Sequence, residues 1–555
     1  MTNHSFESKG KLLQAGNTTA AITTTKPWRS CGSLLFLVLL LCGGSEIKAA
    51  DWPTFGHDPQ RSGSTEDGVF SAENVSGIEL KWTTQVDNVP LALNSLTAPL
   101  LASNVATSQG IKTVVYVAGS SDTFFALNAD DGKVLWNRSF DSEVLPDGES
   151  FFLCPNAVNA TPTIDQEKAI IYTIARDGKL YGLDLGSGIT RFGPFQFVPA
   201  FAKTWSLNFH DGVVYTTTSQ GCGGDRSGVY SMDVTDAMHP VVHELLIQKG
   251  HGGGMWMRGG VVIGGGGRLY VSTGDGDFDS TVGDYGSSIL ATTLPDLRLV
   301  DYYTPLNWKE INQHDLDIPS GSLLAFSYKH RDLIAGGGKE AVVYLLYGNS
   351  LGSKDHQTPL AVTPRLANDT KELEQKGMWG APAVWTDTKN GQTWLYVTIW
   401  GPVSKDAPPF PLTNGEVPHG CIMAFTVVED NRTQQPILRP AWISPDFNLP
   451  DPPVVANGVL FALATGENPQ QTHVQGLMHF KNVEEWKQNL LTTEQRATGT
   501  RPAVLYALDA KSGKLLYQSG TAMKSWVHFS GLAVSDGRVF AVDHSSRIYC
   551  FGLKD

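Results

Sequence analysis

The chain is poor in charge. Only 17% of its 555 residues are Asp, Glu, Lys or Arg, and cations are fewer than anions, 42 against 55. The net charge of −13 falls to −16 once residues 1–50, with five Lys/Arg and two Asp/Glu, are set aside. A surface of that sign repels phosphate backbones, and no basic cluster with interleaved aromatics offsets it, which argues against a nucleic-acid partner. Cysteine is scarce as well. Four of the six lie beyond residue 50, at Cys154, Cys222, Cys421 and Cys550. No C-x-x-C pair and no C-x-x-C-H occurs, so the chain carries no c-type haem. No apolar run approaches the roughly 20 residues that span a bilayer. Beyond residue 50 no long 3.6-periodic stretch is found, which removes the helical fold classes.

What is present points to strands. Lys26 and Arg29 precede the apolar run Leu34 to Leu41, and Ala49 and Ala50 precede Asp51-Trp52-Pro53, so residues 1–50 read as a signal peptide and the mature chain as periplasmic or secreted. Glycine is frequent, at 58 residues, and the apolar segments are short, β-branched or aromatic, and bounded by Gly, Asp, Asn and Ser. One phrase repeats: two strands, an Asp/Ser-Gly turn, and an aromatic four positions after the Gly. The clearest copies end at Trp136, Phe192 and Tyr517. Aligned on an aromatic assigned to the inner strand, the units fall at Tyr116, Tyr172, Tyr215, Tyr270, Tyr344, Tyr396, Phe461 and Phe540. Eight units at these spacings suit four-stranded propeller blades and are too long for two-element solenoid repeats. The last unit stops without its aromatic outer strand, and Leu80 to Val86 offers the missing one. The expectation is an all-β, eight-bladed β-propeller closed by an N-terminal strand, with residues 51–555 as a single domain.

These blade phrases resemble the tryptophan-docking motifs of the pyrroloquinoline quinone (PQQ)-dependent alcohol dehydrogenases, and five local matches sharpen the resemblance. Gly252-Gly-Gly-Met-Trp256 is similar to the Gly-Gly-x-x-Trp segment whose Trp forms the floor under the quinone. Leu269-Tyr-Val-Ser-Thr-Gly-Asp-Gly276 puts Asp275 where the family has a calcium-ligating Asn. Ser287-Ser-Ile-Leu-Ala291 and His314-Asp-Leu-Asp317 resemble the phrases that end in the catalytic Asp, which makes Asp317 the implied base. Gly338-Lys-Glu-Ala-Val-Val-Tyr-Leu-Leu346 places Lys339 where a cation contacts the quinone oxygens, and Gly377-Met-Trp379 keeps the Trp of a Gly-x-Asn-Trp phrase.

The departures are equally specific. Cys154-Pro155-Asn156-Ala157-Val158-Asn159-Ala160 matches a Cys-Cys-Asp-x-Val-Asn-Arg segment but has one Cys and no Arg, leaving Cys154 and Asn159 as implied cofactor contacts. Pro155 excludes a bond between adjacent cysteines. Where the family places a calcium-ligating Glu, Ser219 to Asp225 offers only Asp225. Met378 stands where the family has a cofactor-contacting Asn. Two readings stay open. One is a periplasmic oxidoreductase holding PQQ and calcium, acting on an alcohol or sugar and passing electrons to a separate acceptor. The other is a PQQ-like propeller without cofactor that binds a protein or peptide partner. A hydrolase or carbohydrate-binding propeller trails both, for want of a zinc-type His pair.

Overall fold

The two halves of the repeated phrase meet across a blade boundary. In a computed structural model, the Trp136 indole donates to Leu185 O of the following unit (3.0 Å), Trp442 to Ala510 O (3.0 Å) and Trp82 to Ala129 O (2.9 Å). Each ring lies on the Gly of the next unit's turn: a Cβ on Gly188, Gly513 or Gly132 would stand 2.4–2.5 Å from the indole. All three also have φ near +70°, so only glycine meets both demands. A four-residue spacing in sequence therefore becomes a clamp between neighbouring blades.

The structure describes residues 51–554 except 144–152, 155–156, 225, 248–252, 372–375, 475–484 and 486–487. The expected signal peptide lies outside them. Eight antiparallel sheets follow one another, each built on four main strands. Blades 1 to 7 span 100–139, 163–196, 203–246, 262–303, 323–362, 377–443 and 454–518. Blade 8 takes three strands from 533–553 and a fourth, Ile78–Gln85, which pairs antiparallel with Arg547–Leu553. First strands of neighbouring blades touch between 2 and 3, through every step from 4 to 8, and between 8 and 1, which puts them around an axis. The fourth strands are partly exposed and form the rim. No helix among the described residues is long and apolar enough to cross a membrane.

The repeated aromatic sits one strand farther out than expected. Seven of the eight lie on the second strand, where the hydroxyls of Tyr116 and Tyr396 reach the carbonyls that also receive Trp136 and Trp442. Tyr344 breaks the series, being on the third strand of blade 5, Tyr344–Tyr347. The second strand there, Arg331–Gly336, has no aromatic, so alignment on aromatics slid to its neighbour.

Residues 52–65 run as a belt inside the ring. Their carbonyls accept amide hydrogen bonds from successive first strands: Pro53 O from Ile164, Pro59 O from Ile263, Gln60 O from Ala325, Ser62 O from Val384 and Gly63 O from Val455. Trp52 exchanges two hydrogen bonds with Leu101 of blade 1. Arg61, 1% exposed, fastens the belt through Val261 O (3.1 Å), Phe55 O (2.7 Å), Thr54 Oγ1 (2.6 Å) and Leu207 O (2.9 Å). Phe55 packs on Ala98 and Ala381 at the axis.

Candidate functional site

Two kinds of segment reach one end of the ring: the stretch entering each first strand, and the loop from second strand to third. Antiparallel pairing puts both there in every blade. Trp256, Asp317 and Trp379 enter blades 4, 5 and 6, while Asp275 and Lys339 lie on the second-to-third loops of blades 4 and 5.

The structure brings these five together. Lys339, 3% exposed, places Nζ 2.9 Å from Asp317 Oδ2 and 2.9 Å from Asp315 Oδ1. The Asp275 amide donates to Asp317 Oδ1 (2.7 Å). A Cβ at Gly274 would lie 2.7 Å from that same oxygen, so the glycine allows the loop to approach. The Lys339 ammonium is 5.1 Å from the Trp256 ring centroid and 5.5 Å from that of Trp379. Trp379 stacks in turn on Trp400 and Phe529.

Carboxylate oxygens of Asp275, Asp315 and Asp317 lie within 4.8 Å of one another. Burial would raise Asp317, but the Lys339 charge and its hydrogen bonds outweigh it and hold the carboxyl below the ordinary range. The Asp317 charge, then burial, push Asp275 up to about 7. Burial pushes Asp315 well above its usual value despite Lys339. One cation thus balances one of three acids.

The other expected contacts fall elsewhere or outside the described residues. Asp225 lies outside them. Cys154 is disulfide-bonded to Cys222, on the second-to-third loop of blade 3, and the start of that loop lies beside Gly254, whose Cβ would stand 3.7 Å from Gln220 N. Cys421 and Cys550 are buried thiols. Asn159 donates to Thr204 O (2.9 Å) and accepts from Asn94, lining a cavity with Arg258 and His528 instead of touching Asp317. Met378 is 1% exposed in the blade 5–blade 6 core. Sequence reasoning passed over Asp315, two residues before Asp317, and Arg258, two residues after Trp256. It also missed the letters of a G-x-S-x-G in Gly348-Asn349-Ser350-Leu351-Gly352. That segment is a turn after the third strand of blade 5 with no helix following, so it is not a nucleophile elbow.

Among solved structures, a quinohemoprotein alcohol dehydrogenase from Pseudomonas putida HK5 is similar at TM-score 0.55 and 12% identity, over 91% of this chain and 80% of that one. A europium-containing methanol dehydrogenase is similar at TM-score 0.55 and 11% identity, over 91% and 98%. Residues 79–236 match the PQQ_2 family, described as outer membrane protein assembly factor BamB. This chain is an eight-bladed β-propeller with the fold of the quinoprotein alcohol dehydrogenases. The BamB of Yersinia pestis is 29% identical to it over 124 residues, 22% of this chain and 28% of the relative, so the match spans little more than a quarter of that protein. The matched residues cover blades 1 and 2 and part of blade 3, whereas the Asp-Lys cluster sits on blades 4 and 5.

Proposed function

We propose that the chain is an exported, PQQ-type oxidoreductase acting on an alcohol or sugar, with its site at the loop end of the ring. The observation that carries this reading is the contact of Asp317 with Lys339 beside Trp256. An ionised carboxylate, a paired cation and a flat aromatic converge there from separate loops. A propeller acting only as a scaffold has no need of that arrangement.

The residues present fit both groups that the fold family implies. Trp256, half-buried, offers a ring on which a planar quinone can stack. Three clustered carboxyls, Asp275 raised by the Asp317 charge and Asp315 by burial, form an oxygen donor set that a hard divalent cation would satisfy. Asp275 and Asp315 would hold calcium, with Asp225 a further candidate, while Trp256 would carry the quinone and Trp379, packed against it, would support that ring. When bound, such a quinone supplies the two-electron acceptor. Asp317 is the base. Its Oδ2, oriented by Lys339 and kept ionised by it, takes the hydroxyl proton, and the Asp275 amide fixes the other oxygen. Lys339 supplies positive charge where negative charge develops. With no haem motif in the chain, electrons leave to a separate acceptor.

Purified protein mixed with PQQ and calcium should gain quinone absorbance and reduce a dye with an alcohol or sugar. Asp317→Asn should keep the absorbance and lose dye reduction by about 10²-fold or more. The BamB match over blades 1 to 3 favours a second reading, a scaffold for a periplasmic protein or peptide. Neither absorbance nor dye reduction would decide for it.

A further inference from the structure

One short helix ties together the loops that carry the candidate site. Trp308–Gln313 lies on the segment entering blade 5 and runs through His314 into Asp315 and Asp317. Ile311, fully buried, seats it, and the Leu316 amide returns to Ile311 O (2.9 Å). At its leading end Asn307 donates to Glu340 Oε1 (2.6 Å), on the blade 5 loop beside Lys339. At its trailing end Asn312 reaches the blade 4 loop one residue past Asp275. Its Oδ1 accepts from the Gly276 amide (3.2 Å) and from Ser287 Oγ (2.5 Å), and its Nδ2 donates to Gly276 O.

That blade 4 loop cannot hold its own tip. Thr273 and Gly274 still bond across it to Ser288 and Ser287, and Gly286 resumes with Asp277. Between them, all four backbone groups of Asp275 and Gly276 leave the loop. Asp275 O accepts from the Gly253 amide (2.6 Å), the Asp275 amide donates to Asp317 Oδ1 (2.7 Å), and Asn312 takes both groups of Gly276. Asn312, Gly276, Asp275 and Asp317 thus close a ring of contacts in which one segment carries both the acid and its brace. Asp317 uses its two oxygens differently, Oδ2 on Lys339 and Oδ1 on the Asp275 amide. Were Oδ1 released, the carboxylate could turn and share Lys339 between both oxygens. We propose that Asn312 is a positioning residue for the redox site, holding the Asp275–Gly276 turn so that the Asp275 amide fixes Asp317 with Oδ2 free to take the proton. This rests on the reading of Asp317 as the base. Asn312 itself acts only through the turn, and a small misplacement of a reacting group is enough to slow a reaction by about 10- to 100-fold.

Two measurements on the full chain test this. Hydrogen exchange at single-residue resolution needs no cofactor: the Asp275 amide should exchange about tenfold faster in Asn312→Ala than in wild type, with the blade 4 strand Leu269–Ser272 as protected as before. In dye reduction with PQQ and calcium, Asn312→Ala should lower kcat about tenfold and leave KM within about twofold. It should have no further effect in an Asp317→Asn background, where no ionised carboxylate is left to orient. Asn312→Gln, which keeps the amide on a longer stem, should recover part of the loss. An Asp275 amide equally protected in Asn312→Ala and wild type, or losses that multiply in the double variant, overturns the proposal. Wild-type protein that binds no PQQ and reduces no dye overturns the redox reading and the catalytic half of the proposal with it, whereas faster Asp275 exchange in Asn312→Ala then still upholds the brace.

Discussion

Replacing Lys339 by Met removes the ammonium and keeps most of the side-chain volume, so its effect isolates charge. The ammonium makes two contacts of 2.9 Å, and the Lys339 and Asp317 side chains are 4% and 5% exposed. Taking one partner from a buried pair typically costs about 3–5 kcal/mol. The carboxyl left behind can escape by protonation, which caps the loss. Protonating a carboxyl of ordinary affinity costs about 4 kcal/mol at pH 7 and about 1.5 kcal/mol at pH 5. Lys339→Met should therefore lose roughly 4 kcal/mol at pH 7 and well under half of that at pH 5. The sign follows from linkage: the variant's folded state holds a proton that its unfolded state has released, so its stability falls as pH rises. Urea unfolding of chelator-treated protein at the two pH values measures this, and Lys339→Met combined with Asp317→Asn should recover at least half of the loss. A variant as stable as wild type at pH 7, or a loss equal at both pH values, would refute the claim that Lys339 keeps Asp317 ionised.

Trp442→Ala should cost about 3–5 kcal/mol in urea unfolding, because the ring is fully buried against Gly513 and its indole donates across the blade boundary; a loss under 1 kcal/mol would contradict the clamp. Replacing Cys154 and Cys222 by Ser opens a loop of 68 residues and should cost about 4 kcal/mol, with peptide mapping of the wild type showing the bond. Wild-type stability should fall as pH rises from about 6.5 to 8. Burial keeps Glu467 protonated to about 8 and Asp451 to about 7 in the fold while the unfolded chain releases both protons near pH 4, so stability falls as pH rises. Between about pH 4 and 6.5, burial keeps His528 and His544 neutral while the unfolded chain protonates, which opposes that trend and flattens the curve. Glu467→Gln should flatten the alkaline side in melting scans from pH 5 to 9.

The fold was legible because a blade advertises itself locally. The glycine turn and the aromatic lie four residues apart in sequence, and a mismatch at either would break a clamp such as Trp136 on Gly188. Legibility failed where the marker was missing. Blade 5 has Arg331-Asp-Leu-Ile-Ala-Gly336 on its second strand, so the count of eight survived while Tyr344 was assigned to the wrong strand. Asp317 and Lys339 could be picked out from short phrases in neighbouring blades. Asn312 could not, since its meeting with Gly276 depends on how a short helix lies between two loops, and no local pattern distinguishes it from other half-buried amides.

The belt of residues 52–65 also constrains the order of assembly. It leaves the ribosome before any blade does, yet the carbonyls of Pro53, Pro59, Gln60, Ser62 and Gly63 find their amides on blades 2, 4, 5, 6 and 7. A chain halted after blade 4 therefore holds a belt with Gln60, Ser62 and Gly63 still unpaired and Arg61 already in place through Leu207 and Val261. Blades 5, 6 and 7 each relieve one more carbonyl, so a partial ring that stops short of blade 7 has an incentive to recruit the next sheet. Removing any of these blades from the finished ring would in turn strand a buried acceptor at the axis, a coupling that the nearest-neighbour contacts of an open repeat array lack.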